Sequence, residues 1–482
     1  MGSDPIMRLH YGVFTYQANC TKLIYMEFTK KPGNRVKKNN DFSQGPVWKC
    51  IILQAIPLTI AQFVQLFYNV VDRIYLGHLG EGHSLALTGV GLTFPVITLI
   101  MAFTALFGVG GIPLFSIERG RGDNERAGRI MGNSFALLLA GSVVLMLSGY
   151  VFLRPVLFAF GASNASYVYG TAYLRIYLAG TVFSMTSAGL NGYISAQGYP
   201  RVGMLSTVIG AALNILLDPL FIFLFGMGVS GAALATIISQ AVSALWVLRF
   251  LFKKDIPVPL RKDTIRINGR ITTDICRLGA SNFIMQGTNF AVQVVCNSTL
   301  ARYGGDLYVG IMTVTNSVRE IFVLPINGLI MGAQPIISYN YGAKAYKRVK
   351  SGINFNTLLG VAYTMLAWLA VLAFPGFFFK LFSDDVLLMD AGTAALKIYF
   401  FGFVFMALQF AGQSTFQALG DAKHAIFFSL LRKAFIVVPL TLILPVAGFG
   451  VNGVFLAEPI SNVIGGIASY TTMRLTAYRK LK

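Results

Sequence analysis

Charged residues are scarce in this chain of 482 residues, as are the side chains most often used in catalysis. Only 12% of the residues are Asp, Glu, Lys or Arg, against roughly 25% in a typical soluble protein. The chain has four His and four Cys, and no paired-cysteine, His-Glu-x-x-His or Gly-x-Ser-x-Gly motif occurs. No Gly-Lys dipeptide occurs either, so the phosphate-binding loop of ATP-driven pumps is absent. These absences argue against an enzyme and leave an ion gradient as the energy source of any pumping.

Apolar residues are abundant, at 55% of the chain, and the mean hydropathy is +0.65. Stretches of roughly 20 apolar residues, long enough to cross a bilayer, recur about twelve times. They cover residues 51–78, 85–116, 127–160, 167–191, 200–226, 229–252, 273–301, 307–338, 349–382, 389–415, 422–446 and 450–477. The 50 glycines suit close helix–helix approach in lipid. The sequence therefore predicts a helical membrane protein with many spans.

Lysine and arginine outnumber the acids by 39 to 19, a formal net charge of +20. They lie mostly in short loops between apolar segments, which is typical of cytoplasmic loops and not of nucleic-acid binding. Basic loops follow the second and eighth segments and span 253–270, whereas those at 78–84, 161–167, 226–229 and 383–390 lack Lys and Arg. We therefore expect a multi-pass protein of a bacterial-type inner (plasma) membrane, with both termini cytoplasmic.

The chain repeats itself at an offset of 222 residues. The segment Gly170-Thr-Ala-Tyr-Leu-Arg-Ile-Tyr-Leu-Ala-Gly180 aligns with Gly392-Thr-Ala-Ala-Leu-Lys-Ile-Tyr-Phe-Phe-Gly402. At the same offset, Gly226-Met-Gly-Val-Ser-Gly231 aligns with Gly448-Phe-Gly-Val-Asn-Gly453. Parallel repeats are related by a pseudo-twofold axis along the membrane normal, with a cavity between them. We therefore expect an all-α polytopic membrane protein of about 12 transmembrane helices in two parallel six-helix bundles.

These patterns also predict where the chain divides. The predicted parts are a basic cytosolic tail at 1–49 that opens with what resembles an expression scar, an N-terminal bundle at 50–252, a cytosolic linker at 253–272, a C-terminal bundle at 273–478 and a short tail at 479–482.

Two polar residues interrupt the apolar segment at 200–226. Asn214 and Asp218 are four residues apart, so on a helix both side chains lie on one face. A carboxylate at membrane depth costs about 3 kcal/mol or more unless it is paired, solvated or protonated. Pro219 follows directly and removes a donor for the backbone carbonyl one turn earlier. This combination predicts the ion-coupling site of a transporter.

The first apolar segment carries a polar stripe at helical spacing. The stripe consists of Gln65, Tyr68, Asn69 and Asp72. It indicates a face that lines a cavity, although Asp72 beside Arg73 is also compatible with an ordinary ion pair near a helix end. Pro57 can bend this helix and is a candidate hinge.

The fourth segment ends in Asn191, and the sixth supplies Thr236 and Gln240 one turn apart. Amides and hydroxyls in membrane helices most often form interhelical hydrogen bonds. Two carboxylates together with several amides and hydroxyls in one bundle favour a site for a proton or for an oxygen-coordinated Na⁺.

The second half is poorer in acids. Its seventh segment carries another polar stripe, a candidate lining of the cavity, made of Gln286, Asn289, Gln293 and Asn297. Glu320 lies beside Arg319, and a local ion pair is the preferred interpretation. Glu458 precedes Pro459 and is interpreted as a partner for freed backbone, with no functional assignment.

Two strings carry a resemblance to a known family. They are Val71-Asp-Arg-Ile-Tyr-Leu-Gly77 and Gln334-Pro-Ile-Ile-Ser-Tyr-Asn-Tyr-Gly-Ala343. Together with the paired Gly-Val-x-Gly segments of the repeat, they resemble the multidrug and toxic compound extrusion (MATE) family over roughly residues 50 to 478. The chain is most similar to its DinF-like and MepA-like bacterial branch.

The resemblance implies export of drugs and toxic cations in exchange for H⁺ or Na⁺. It implies an ion-coupling group made of Asp72, Asn191, Asn214, Asp218 and Thr236. A coupling Na⁺ would then be held by Asp72, Asn214 and Asp218. Candidate substrate contacts are Gln65, Tyr68, Asn69, Tyr173, Gln240, Gln286 and Asn289. NorM-like members use acids of the seventh and tenth segments, where this chain has acids only at the edges, Asp274 and Asp390.

The leading hypothesis is therefore a monomeric antiporter, coupled to H⁺ or Na⁺, that exports cationic amphipathic compounds by alternating access. It would need no cofactor beyond the coupling ion, no nucleic acid and no enzymatic activity. The alternative is a lipid-linked oligosaccharide flippase of the wider superfamily, which favours a cationic cavity for pyrophosphate, whereas the cavity predicted here is acidic. A receptor or channel that does not transport is the third hypothesis, and the repeat with its intramembrane acids argues against it.

Overall fold

The structure, a computed structural model, describes residues 41–77, 83–380, 382 and 386–481. Most of the predicted basic tail at 1–49 lies outside these residues, as do Lys482 and parts of the loops predicted at 78–84 and 383–390. Every regular element in the described ranges is helical. The chain is therefore an all-α protein, as its hydropathy predicts.

The helices of the first half are joined by short turns. They are α1 Val47–Gly77, α2 His83–Gly91, α3 Phe94–Thr104, α4 Gly111–Arg121, α5 Asn124–Val151, α6 Leu153–Ala159, α7 Asn164–Ala179, α8 Thr181–Ala196, α9 Pro200–Pro219 and α10 Gly228–Leu251. Short π-helical segments continue α3 over Ala105–Val109 and α9 over Leu220–Leu224. The linker holds one 3₁₀ turn, Lys262–Thr264.

The second half is likewise a series of helices, some of them continued by π-helical segments. Its helices are α11 Gly269–Gly342, α12 Tyr346–Ala373, α13 Pro375–Lys380, α14 Val386–Phe400, α15 Phe403–Ala418, α16 Ala422–Leu430, α17 Val438–Leu444 and α18 Gly450–Thr472. Its π-helical segments are Leu431–Val437, Pro445–Phe449 and Met473–Ala477, and a 3₁₀ turn at Tyr478–Lys480 ends the described chain.

Eight helical stretches of the described chain are long and apolar enough to cross a membrane. A ninth forms when the pair Leu388–Phe400 and Phe403–Ala418, bent by 41°, is taken as one span. Gly269–Gly342 would be about 110 Å long as one straight helix, but it breaks at Gly305, where φ is 67°. The stretch from Ala422 to Lys480 breaks likewise at Gly448, where φ is 98°. Dividing each of these two stretches at its glycine raises the count from nine to eleven. Counting α7 together with α8 as one more span gives the twelve that the sequence predicts.

Polar caps in the loops define where several helices begin. The Asp123 side chain accepts from the Arg126 backbone N–H at 2.8 Å and starts α5. Ser163 and Ser166 form a reciprocal capping box at the start of α7. Asn268 caps α11 by accepting from the N–H groups of the next turn. These short polar loops allow each apolar segment to turn back as a separate span.

Three hydrophobic cores organise the packing. The first gathers side chains between Leu76 and Ile275, and the second gathers side chains between Val292 and Ala457. The third joins the start of α1 to helices of the second half, with Ile51 packed in the same cluster as Ile336. The two halves therefore contact each other through α1. The predicted boundaries of the two bundles at 252 and 273 stay a prediction.

Glycines allow the two halves to approach closely along α11. A Cβ added at Gly332 would lie 2.7 Å from the backbone nitrogen of Ala55, and one at Gly328 would collide with Thr59. The backbones of α1 and α11 thus lie against each other on both sides of Pro57. At the end that carries basic loops, Gly120 of α4 abuts the backbone of Tyr339, so the halves are closed there.

The close approach of α1 and α11 is testable with Gly332→Ala. The added methyl group meets backbone of α1, so one helix must shift, and overpacking of this kind costs about 1–3 kcal/mol. We expect the melting temperature of the purified full-length protein in detergent to fall by several degrees.

Gly287→Ala is the matched control, because it is also a helical glycine of the second half, in the span before the break at Gly305, and its Cβ would meet no atom within 4 Å. Alanine is the better helix former, so this variant should melt at or slightly above the wild-type temperature. Equal melting temperatures for the two variants would contradict the packing described here.

Candidate functional site

Three polar side chains of α9 and α10 form a closed group inside the membrane spans. Asn214, Asp218 and Thr236 are 1%, 0% and 3% exposed. In either orientation of its amide, Asn214 donates to the Asp218 carboxylate, over 3.4 Å to Oδ1 or 3.2 Å to Oδ2. Thr236 Oγ1 lies 3.4 Å from Asn214 Nδ2. The structure thus brings together three of the five residues predicted to couple ions.

The donor atoms of this group are compatible with either coupling ion. A buried carboxylate whose partners are neutral gains from taking up a proton or a cation. Carboxylate, amide and hydroxyl oxygens are also ligands that hard cations accept. No three His, Cys, Asp or Glu side chains converge on one point in the described chain, so a cation here would depend on amide and hydroxyl oxygens as well.

The backbone is irregular directly beside Asp218. Pro219 has no N–H to donate to the carbonyl of Ile215, one turn earlier. The π-helical segment Leu220–Leu224 follows immediately, and the Phe225 N–H donates to the Leu220 carbonyl at 2.9 Å. π-Helical turns are rare and often occur at functional sites. Backbone carbonyls near the carboxylate are therefore freed from the regular helical ladder.

Asp72 of α1 lies within electrostatic range of Asp218. Its Oδ1 atom is buried and has no hydrogen-bond partner among the described residues. Arg73 forms no salt bridge with it in the described chain, and the Arg73 guanidinium lies over the Phe94 ring, 5.1 Å from its centroid. The simple ion pair between Asp72 and Arg73 is therefore not formed, and the carboxylate keeps an unpartnered oxygen.

Tyrosines connect the two carboxylates. Tyr68 and Tyr173 both lie within electrostatic range of Asp72, and the Tyr173 side chain lies close to Thr236. Tyr173 also stacks on Tyr177, with ring centroids 6.1 Å apart and an interplanar angle of 15°. The result is an aromatic wall beside two acidic side chains, an arrangement suited to organic cations.

Two neighbouring cavities lie beside this group. The first has a volume of about 350 Å³ and is lined by Asp72, Arg73, Leu76, Val90, Gly91 and Phe94. The second, of about 310 Å³, shares Gly91 and Phe94 and is also lined by Gln293 and Asn297 of α11. The cavities therefore extend from the acidic side chain of the first half to the polar stripe of the second.

Two further predicted site residues, Asn191 and Gln240, contact residues other than Asp218. Asn191 donates to the Gly203 carbonyl at 3.2 Å, and Gly203 lies eleven residues, about 16 Å of helix, before Asn214. The structure therefore does not bring Asn191 into the Asp218 group. Gln240 faces the hydroxyl of Tyr177, one turn from Thr236.

The remaining candidates form no hydrogen bond in the described part of the chain. Gln65 and Asn69 are exposed on α1, while Gln286 and Asn289 are partly buried on α11. Pro57 is buried within α1, which is continuous from Val47 to Gly77. The roles assigned to these five residues stay predictions.

Sequence reasoning missed a charged cluster in the second half. Glu458 is only 4% exposed and accepts from Lys433 Nζ at 2.8 and 3.0 Å and from Arg432 at 3.4 Å. The interpretation of Glu458 as a partner for freed backbone is therefore wrong. The Arg432-Lys433 dipeptide inside an apolar segment was the signal available. The local pair expected between Arg319 and Glu320 is also wrong, because no salt bridge joins them in the described ranges.

Comparison with known families gives one match in each half of the chain. The sequence model of the MatE family matches residues 57–220 and 282–443, which together make up more than half of the chain.

Individual relatives match over most of their length. The multidrug export protein MepA of Staphylococcus aureus (strain N315) is 25% identical over 429 residues, which cover 89% of this chain and 94% of the relative. The MepA protein of Staphylococcus saprophyticus is 23% identical over 431 residues, with the same coverage.

Solved structures agree with the fold. An outward-facing multidrug resistance MATE family transporter of the MOP superfamily superposes with a TM-score of 0.86, at 25% identity, over 93% of this chain and all of the other. A MATE protein in the bent conformation also gives a TM-score of 0.86, at 25% identity, over 93% of this chain and 99% of the other. The chain therefore belongs to the MatE family and is a membrane transporter, not an enzyme.

Proposed function

We propose that this transporter is a multidrug exporter that exchanges cationic amphipathic compounds for H⁺ or Na⁺. The observation that carries the proposal is Asp218, a fully buried carboxylate inside membrane helices whose hydrogen-bond partner, Asn214, is neutral. Such a group is costly unless its negative charge is used. Asp72 adds a second carboxylate within electrostatic range of the first.

The class of substrate follows from the relatives and from the lining of the cavity. The MepA relatives are named for multidrug export, and we extend that activity to this chain. Two acidic side chains beside the rings of Tyr68 and Tyr173 favour organic cations. The two buried carboxylates of the first half, Asp72 and Asp218, also argue against the pyrophosphate headgroup of a lipid-linked oligosaccharide.

Exchange follows from competition for the same carboxylates. Asp218 and Asp72 can each be neutralised by the coupling ion or by a cationic drug, and a carboxylate that already holds one cation or proton no longer attracts the other. Release of the drug then accompanies uptake of the ion. Because the two ligands bind the same groups with different preferences for the inward- and outward-open states, each shifts the equilibrium between these states.

Alternating access would operate at the glycine contacts between the halves. The described structure is closed at the end where Gly120 meets Tyr339, and cavities lie where α2 and α3 face α11. An outward-facing relative supports a cycle of this kind. We propose Pro57 as the hinge, because α1 contacts α11 on both sides of it.

The proposal includes the orientation of the protein in the membrane and its oligomeric state. The basic loops at Arg119–Arg129 and Lys344–Lys350 approach each other at the closed end, where Arg119 lies over the Tyr339 ring. We propose that this end is cytoplasmic, that the protein resides in the inner (plasma) membrane and that it acts as a monomer.

The coupling site can be tested with Asp218→Asn and Asp72→Asn. Each change keeps the size of the side chain and removes its charge, so each should abolish the exchange while leaving the fold intact. We expect dye efflux from proteoliposomes, driven by an imposed pH or Na⁺ gradient, to fall at least tenfold, a loss of about 1.4 kcal/mol or more.

Asp255→Asn, an exposed residue of the linker, is the matched control and should export at the wild-type rate. The gradient that drives efflux in the wild type identifies the coupling ion. Normal export by both site variants would sink the proposed site in the first half.

The aromatic wall can be tested at Tyr68. Tyr68→Phe keeps a ring and should bind a quaternary ammonium dye nearly as well as the wild type. Tyr68→Leu removes the ring, and loss of a cation–π contact should weaken binding by about 2- to 30-fold. Fluorescence titration of purified protein measures both. Equal affinities for Phe and Leu variants would argue that the ring does not contact the cation.

The orientation can be tested with single cysteines at Asp123 and Asn164 in a chain whose native cysteines are replaced. Both positions lie in loops or at helix starts, on opposite sides of the predicted membrane. We expect a membrane-impermeant maleimide applied outside intact cells to label position 164 and not position 123. The reverse pattern would contradict the proposed orientation.

A further inference from the structure

The 222-residue repeat relates the Asp218 region to a second cluster in the other half. Thr236 aligns with Glu458, and Gln240 aligns with Asn462, at the same offset as the glycine segments. Tyr177, which faces Gln240, aligns with Tyr399. Both halves therefore place a tyrosine and two polar residues at corresponding positions, but the chemistry of the two positions differs.

The second-half cluster is built around Glu458. Lys433 Nζ contacts both carboxylate oxygens, at 2.8 and 3.0 Å, while Arg432 lies 3.4 Å from one of them. Arg432 also donates to Asn462 Oδ1 at 2.9 Å. Arg432 and Lys433 are 6% and 4% exposed and lie on the π-helical segment Leu431–Val437. The first half carries no basic residue at the aligned positions, Gly210 and Ala211.

Arg319 of α11 brings a third cation to this cluster. It lies within electrostatic range of Tyr399, Glu458 and Glu320. Its Nε atom is buried and unpartnered, and its guanidinium forms no hydrogen bond or salt bridge within the described chain. Arg319 is only partly buried, so it can be reached by a ligand. Tyr399 donates to Asn316, not to a charged group, at 3.3 Å.

The charges of the cluster do not balance. Three cationic side chains face one buried carboxylate, Glu458, and the neighbouring Tyr399, Asn316 and Asn462 are neutral. Glu320 adds a negative charge beside Arg319, but it is exposed and forms no salt bridge in the described chain. Excess positive charge at membrane depth is unfavourable without an anion, and an unpartnered guanidinium offers up to five donors to one.

We propose that the cluster of Arg319, Arg432, Lys433 and Glu458 is a second binding site that takes a compact anionic group. Arg319 is the specificity-determining residue, because it is the cation whose donors are not used within the protein. The anionic group comes either from a free halide or from the carboxylate of a zwitterionic substrate. The site does not depend on the coupling role proposed for Asp218.

Halide binding is tested by thermal unfolding of the full-length protein in detergent. Chloride or bromide replaces gluconate at constant Na⁺ concentration and constant ionic strength. We expect a saturable rise in melting temperature for the wild type, because a ligand that binds only the folded state stabilises it. In Arg319→Gln the half-saturating halide concentration should rise about tenfold or more, as expected for loss of a charge-assisted hydrogen bond.

Two controls separate this site from other effects. Arg302→Gln removes an exposed arginine of the preceding span, before the break at Gly305, and should leave the halide response unchanged. Asp218→Asn should also keep it, even where export is lost, so failure of the first-half site and of this one are distinguishable. Arg319→Lys keeps the charge but has fewer donors, so it should raise the half-saturating halide concentration by an intermediate amount. This variant tests the site if Arg319→Gln does not fold.

The carboxylate source is tested with rhodamine B, a zwitterion, and its ethyl ester, a cation of almost the same shape. If the substrate carboxylate occupies the site, the wild type binds the acid more tightly than the ester, and Arg319→Gln removes that preference. A halide response or an acid preference that depends on Arg319 supports the proposal. The absence of both responses in the wild type, or the persistence in Arg319→Gln of every response that the wild type shows, overturns it and leaves the cluster as an internal ion network.

Discussion

The cost of an ionised side chain in a low-dielectric interior is the constraint on which the two polar regions of this protein depend. Asp218 accepts from a neutral partner, Asn214, which in turn contacts Thr236, so its charge is left for a ligand to balance. Glu458 is instead paired directly with Lys433 and Arg432. The same physical penalty thus has two solutions in one chain. A carboxylate without a cationic partner suits a group that must change partners during transport. A carboxylate already paired with cations suits a group that stays charged.

Irregular helices provide the space for these groups. Pro219 and the π-helical segment Leu220–Leu224 follow Asp218, and the π-helical segment Leu431–Val437 carries Arg432 and Lys433. A regular helix satisfies all of its own backbone and points side chains at fixed intervals, whereas a wide turn frees carbonyls and rotates the following residues. Glycines have the opposite effect elsewhere, since at Gly332 the missing side chain brings α1 and α11 into backbone contact. The backbone is therefore irregular beside the two buried polar groups and closely packed where the halves meet.

Residue spacing in the sequence correctly predicted features that are set within a single helix. It did not predict contacts that depend on how neighbouring helices are rotated against each other. The twelve spans and the pairing of Asn214 with Asp218 follow from apolar length and from a four-residue interval. Adjacent residues on a helix point about 100° apart, so Asp72 with Arg73 and Arg319 with Glu320 do not face each other, although sequence adjacency suggested ion pairs. Glu458 and Lys433 are 25 residues apart in a helical hairpin, and only the packing of its two arms brings them together. The displacement of Asn191 from the Asp218 group has the same origin.

The repeat explains how one scaffold can carry two polarities. The corresponding residues Thr236 and Glu458 are both buried, and each half places a tyrosine, Tyr177 or Tyr399, at the aligned position, so a change of a few side chains is enough to reverse the sign of the charge. Opposite charges in the two halves would also attract each other across the central cavity and favour its closure, and a ligand that neutralises one half would weaken that attraction. A dipolar ligand could satisfy both halves at once, whereas a simple cation needs only the first. The distribution of charge between the halves therefore bears on which substrates the protein accepts as well as on how the halves separate.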